Sequence, residues 1–309
     1  MTGSPLVPRL SIYEAQAQNR TRTVLLIVGF ALVVGALAYL FGQLFLPQGG
    51  VAMLPVALAF SGGSAFVSYF AGDKIVLAQS RARPVGPDEQ LELRNIVETL
   101  GIGLGIPTPA LYLIDDSAPN AFATGRDPKH ASVAVTTGLL DKLDRQELEG
   151  VIAHELSHVG NRDIRVMLLV TVMVGTIALL SDWLLRSMFW GGGRGRDDRD
   201  RGNAGGLILI VGLALAVLTP VIAGLVQMAV SRQREYLADA SGALLTRYPQ
   251  GLANALRKIG ADREPLEVAN KATASLYFTN PLKDRPIRFD KLFDTHPPIE
   301  ERIRRLEAM

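Results

Sequence analysis

Cysteine is absent from the 309-residue chain. Its absence excludes a disulfide framework, a thiolate nucleophile and a cysteine-held metal, and it fits a reducing compartment. Any metal must be held by histidine and carboxylate. Histidine is scarce too: the chain has four, and two of them share one pentapeptide. Net charge is nearly missing, at +2, so bulk electrostatics gives no reason to expect a nucleic-acid partner. Charged residues make up 20% of the chain against 48% hydrophobic, and mean hydropathy is positive. The apolar residues are gathered in blocks that lack charge altogether, which an ordinary soluble protein does not show.

The first block, Thr23 to Leu46, has 24 uncharged residues. As a helix it reaches about 36 Å, enough to cross a hydrocarbon core of about 30 Å. The second, Val51 to Ala71, contains Pro55 and Ser61-Gly-Gly-Ser64, small residues that let another helix approach. The uncharged link Pro47 to Gly50 is short, so 23–71 predicts a transmembrane hairpin (23–46 and 51–71) behind a polar N-terminal segment, 1–22. A cleaved signal peptide is the rival reading; the run is too long for it, and a second run follows at once. Arg20 and Arg22 precede the hairpin and Lys74, Arg81 and Arg83 follow it, with no basic residue between, which places both ends in the cytoplasm. A third segment, 166–185, is interrupted by Asp182, and a fourth, 206–230, carries no charge and has Pro220 as a predicted kink. The glycine- and arginine-rich stretch 191–205 between them has the composition of a flexible loop, although its arginines run against the positive-inside rule.

The remainder, 73–163 plus 231–309, reads as one soluble domain in two pieces. Helical periodicity starts near Pro87 and ends in the glycines at 101–105. Residues 110–114 and 132–136 predict strands, with a third strand at an edge between them. Next comes His154-Glu155-Leu156-Ser157-His158. Residues four apart on a helix lie on one face, so both imidazoles can reach one Zn²⁺, and Glu155 stands beside the first, placed to take a proton from water. Asp144 and Glu147 have capping-box spacing, and Leu148, Val151, Ile152, Leu156 and Val159 form an apolar stripe, which predicts a half-buried helix closed at Gly160-Asn161. A solvated helix carrying two idle histidines is the bland alternative.

An open coordination position for water needs one more protein ligand. Glu235, in Ser231-Arg-Gln-Arg-Glu-Tyr-Leu-Ala-Asp239, can supply it, and Asp239 on the same face can accept the free N–H of a ligating histidine. Two apolar segments separate His158 from Glu235, an even number of crossings, which returns the chain to the side it left. The alternative is a juxtamembrane helix whose Glu235 pairs with Arg232 and Arg234.

These motifs, with Thr295-His296-Pro-Pro298-x-Glu-Glu-Arg302, resemble the HtpX family of integral-membrane zinc metalloproteases, within the wider group of OMA-type and CAAX prenyl proteases. The resemblance covers essentially the whole chain. It implies a mainly α membrane protein with four hydrophobic segments and a gluzincin-like α+β catalytic domain bearing a small sheet. It further implies one Zn²⁺ on His154, His158 and Glu235, with Glu155 and His296 catalytic and Asp239 and Arg302 orienting. Asn120-Ala121-Phe122 resembles the family's substrate-binding edge strand, for which an ordinary edge strand is the plain alternative. His130 matches no motif and reads as a surface histidine.

The expected activity is hydrolysis of polypeptide or membrane-protein substrates at the cytoplasmic face of the plasma membrane, in quality control of misfolded or damaged proteins. The expected partners are such substrates and the bilayer, without nucleic acid; oligomeric state is left open. A CAAX-type prenyl protease is the alternative enzyme, though those have more membrane segments. A non-catalytic scaffold with structural zinc is the alternative of another class.

Overall fold

A computed structural model of the chain describes residues 12–45, 49–191, 232–269, 273–282 and 297–309. The expected fourth segment, 206–230, and His296 lie outside the described residues.

Two long helices open the chain, α1 (Ile12–Phe45) and α2 (Gly49–Gln79). Both pass the length and hydropathy requirements for a membrane span, over Ala17–Ala36 and Gly50–Gln79. Leu25, Leu32, Leu58 and Phe66 point outward from them and are more than half exposed, which is the face such helices present to lipid. Both helices are longer than the apolar runs they contain. No break separates a polar segment from the first span, because α1 is already helical at Ile12; α2 likewise continues past Ala71. The third apolar segment lies inside α6 (Asp163–Gly191). Its first half does not face outward: Val166, Leu169, Val170 and Met173 are buried against Leu26, Phe30 and Val34 of α1.

Beyond the two opening helices, the described residues include a four-stranded sheet ordered β1 (Arg83–Pro84), β2 (Ala110–Ile114), β4 (Ala131–Thr136), β3 (Ala121–Gly125). β2 and β4 are parallel, and β3 pairs antiparallel to β4 as the edge strand. Between β1 and β2 lies α3 (Leu91–Leu104), closed by left-handed Gly105. After β4 come α4 (Thr137–Lys142) and α5 (Arg145–Gly160), and beyond α6 lie α7 (Arg232–Thr246), α8 (Pro249–Ala261) and α9 (Ile299–Glu307). The turn from β3 to β4 requires glycine at 125, where φ is 138° and a Cβ would come within 2.2 Å of the His130 carbonyl oxygen.

α5 is the centre of this domain. Its capping box forms as expected: the Asp144 carboxylate accepts from the Gln146 and Glu147 N–H groups, and the Glu147 carboxylate from Asp144 N–H. The expectation of a half-buried helix fails, because every residue from Gly150 to Val159 is buried. Sheet, α3, α7 and α8 surround it, and polar positions that look like a solvent face in the sequence turn inward to one another. Glycines make the close packing possible. A Cβ at Gly150 would lie 2.7 Å from the Leu252 nitrogen of α8, and one at Gly242 of α7 would lie 3.0 Å from the His154 nitrogen.

Gly150→Ala is therefore expected to force α5 and α8 apart and cost about 1–3 kcal/mol. Gly160→Ala, whose Cβ meets nothing within 4 Å, is the control and is expected to be neutral or stabilising. Thermal denaturation of the two variants compares them.

Candidate metal centre

His154 and His158 stand one turn apart on α5, and Glu235 enters from the first turn of α7. All three are buried. His154 Nε2 and His158 Nε2 are 3.2 Å apart, and the Glu235 carboxylate lies 3.8 Å from the first and 3.6 Å from the second. Donors on a zinc tetrahedron with bonds of about 2.0–2.1 Å are separated by about 3.3 Å, so the three atoms fit a single ion. Charge fits as well. Four buried carboxylates, Glu155, Asp163, Glu235 and Asp239, surround the site against two buried guanidiniums, Arg234 and Arg302. Such an excess in a buried site matches a divalent cation.

Both rings turn Nε2 inward because Nδ1 is held from behind. His154 Nδ1 lies 2.9 Å from Asp239, and His158 Nδ1 lies 3.0 Å from Asp163. These carboxylates fix the tautomer and orientation of each ring. Asp239 is anchored by Arg302 through two bonds, Nε to Oδ2 at 2.9 Å and Nη2 to Oδ1 at 2.7 Å. The resemblance puts Arg302 in the motif that orients His296; here its guanidinium grips the carboxylate behind His154.

Asp163 escapes a reading of the sequence. It is five residues from His158, a spacing that leaves the shared face of a continuous helix. The break at Asn161-Arg162, where Arg162 takes a φ of 61°, swings it back beneath the ring. The available signal is an aspartate opening the helix directly after the motif.

The histidines differ electrostatically. Burial pushes His154 down to about 4, with Arg302 reinforcing and Asp239 opposing. Burial also pulls on His158, but Asp163, Glu235 and Glu155 outweigh it and hold it up at about 9. Glu155 is raised by burial to about 7, with Glu235 adding to the shift. Its carboxylate accepts the Ala123 N–H of edge strand β3 at 2.9 Å, which fixes it beside the three donors.

The stretch expected as the substrate edge is engaged within the chain. Asn120, Ala121 and Phe122 are buried, and their outward groups are already bonded within the chain. Ala121 C=O accepts Phe278 N–H at 2.8 Å, the Asn120 amide brackets the Thr279 backbone, and Phe122 stacks edge-on against Tyr277. Segment 277–279 lies against this part of β3 and takes up its bonding groups. Phe278 also packs on the His154 ring and under Arg302. His130 is exposed and bonded to nearby Asp127.

Residues 87–309 match peptidase family M48. Over 303 residues the chain is 48% identical to a protease HtpX homolog of Thermoanaerobacter pseudethanolicus, covering 97% of this chain and 99% of that one. It is 45% identical over 301 residues to a protease HtpX homolog of Ligilactobacillus salivarius, covering 96% and 100%. The crystal structure of S. mikatae Ste24p is similar at a TM-score of 0.49 and 20% identity, over 88% of this chain and 62% of that chain.

Removing the guanidinium in Arg302→Leu leaves Asp239 buried without its partner. The expected cost is about 3–5 kcal/mol, read from chemical denaturation. Arg302→Leu combined with Asp239→Asn should recover part of the loss.

Proposed function

The chain belongs to peptidase family M48, and we propose that it is a zinc endopeptidase whose general base is Glu155. The family and its close relatives make it a metalloprotease acting on polypeptides, and its two long apolar helices accord with membrane-bound relatives. One observation carries the zinc assignment: His154, His158 and Glu235 bring three ligand atoms within 4.8 Å of one another, beside buried Glu155. Two imidazoles and one carboxylate are the donor set of a catalytic rather than a structural zinc site, which is normally closed by four protein ligands.

When bound, zinc supplies a Lewis acid that polarises the scissile carbonyl and acidifies the attacking water. Glu155, held by the Ala123 N–H, takes the proton of that water and returns it to the leaving amine. Asp239 and Asp163 keep the two imidazoles aimed. His296, assigned through the family likeness, stabilises the developing oxyanion. The basic residues on both flanks of the first two apolar segments put the catalytic domain on the cytoplasmic side of the plasma membrane. Its substrates are misfolded or damaged membrane proteins. Support for that class comes from the chain path, because α5 passes through Asn161-Arg162 directly into α6, which packs on α1.

Glu155→Gln is expected to keep one zinc per chain while proteolysis falls at least about 100-fold, as loss of a general base requires. Cleavage retained by that variant, with contaminating proteases excluded, rejects the assignment. Chelation should abolish wild-type activity and added zinc should restore it. Orientation is tested separately with Gly192→Cys in the cysteine-free chain. A membrane-impermeant maleimide should label it in intact cells; labelling only after permeabilisation reverses the proposed topology.

A further inference from the structure

The two carboxylates behind the histidines are anchored in different ways. Asp239 is held by Arg302, which lies within the stretch that matches the peptidase family. Asp163 is held by α1, outside that stretch. Asn19 Nδ2 donates to Asp163 Oδ1 at 2.6 Å and to the Asn161 carbonyl, at the end of the metal helix, at 3.1 Å. The Asn19 side-chain Oδ1 lies 3.5 Å from Arg234 Nη1, which also approaches Asp163 Oδ1 at 3.6 Å. Arg234 directly precedes Glu235 in the sequence.

Asn19 is only 3% exposed although it sits at the start of an apolar, membrane-type helix. A polar side chain there is costly unless it meets partners in the protein interior. Its amide meets three: the carboxylate behind His158, the cap of the helix bearing both histidines, and the residue beside the third ligand.

We infer that Asn19 is a positioning residue of the metal centre, through which the first membrane helix sets the orientation of His158. The inference rests on the metal-site reading above. With Oδ1 held by Asn19 and Arg234, the Asp163 carboxylate can present Oδ2 to His158 Nδ1 in one direction only. Without the amide it can rotate, and the ring behind it loses its fixed tautomer and aim. The metal site is thus completed by the membrane hairpin, and the packing of α1 against α6 becomes a determinant of metal affinity.

The test uses full-length protein in detergent, as Asn19→Ala and as near-isosteric Asn19→Leu, which suits a membrane helix. Thr21→Ala is the control, since the Thr21 hydroxyl is exposed and bonds to Ala17 of its own helix. Zinc affinity is read by competition with a chromogenic chelator, and ring geometry by the visible spectrum of the Co²⁺-loaded protein. The thermal midpoint of the chelated protein reports on folding alone. Loss of an outer partner of a metal ligand weakens metal binding by about 10- to 100-fold. Both Asn19 variants should show that loss, an altered Co²⁺ spectrum and a lower kcat at unchanged KM, with the metal-free midpoint near wild type. Folded variants with wild-type zinc affinity and spectrum overturn the inference. Failure of both to fold also overturns it, by making Asn19 a purely structural residue. His158→Ala in the same assay separates the two levels: if it leaves zinc affinity intact, the metal-site reading itself is wrong.

Discussion

Two imidazoles one helical turn apart can share an ion only if both rings are held with the same nitrogen aimed at one point. Here that constraint is met by a pair of buried carboxylates, Asp239 behind His154 and Asp163 behind His158. A buried carboxylate is stable only when its other oxygen is also satisfied. Arg302 and Asn19 meet that demand, and their positions dictate how α9 and α1 dock on the domain. The C-terminal helix, the N-terminal helix and the helix carrying Glu235 are arranged around the ring nitrogens of two residues on α5.

Burial of α5 on all sides is the counterpart of this arrangement. Polar groups along it face other polar groups: the histidines meet carboxylates, and Glu155 meets the Ala123 N–H. Close packing has to bring those partners near without filling the space they need. Gly150 and Gly242 do this by letting α8 and α7 approach the α5 backbone more closely than any side chain permits. The low dielectric that results strengthens every interaction in the cluster and explains why Glu155 holds its proton more tightly than an exposed glutamate does.

The edge of the sheet shows the same economy of partners. β3 supplies the Ala123 N–H to Glu155 on its outward side, while Ala121 and Asn120 on that side bind segment 277–279. That segment takes up the bonding groups of β3 at these positions. Phe278 touches β3 through its backbone and His154 through its ring, so occupancy of this edge and the packing around the metal centre are physically linked.

Much of this was legible in the residues alone. The pentapeptide 154–158, the capping box ahead of it, strands 110–114 and 132–136, and the helix carrying Glu235 and Asp239 all follow from local periodicity and spacing, which act within a few residues. Glu235 and Asp239 could be nominated because four-residue spacing puts them on one helical face. The pairing of Asn19 with Asp163 and the link from Arg302 to Asp239 could not, since they join residues 144 and 63 positions apart through contacts that no local pattern encodes, and Asp163 itself reaches His158 only through the backbone break at Arg162. The same holds for the buried face of α5 and for the occupied edge of β3. Sequence by itself determined which residues can bind a metal and which segments are apolar enough to enter a membrane. Tertiary structure alone decided which way each imidazole points, because orientation is set by buried partners that the chain brings together only when it folds.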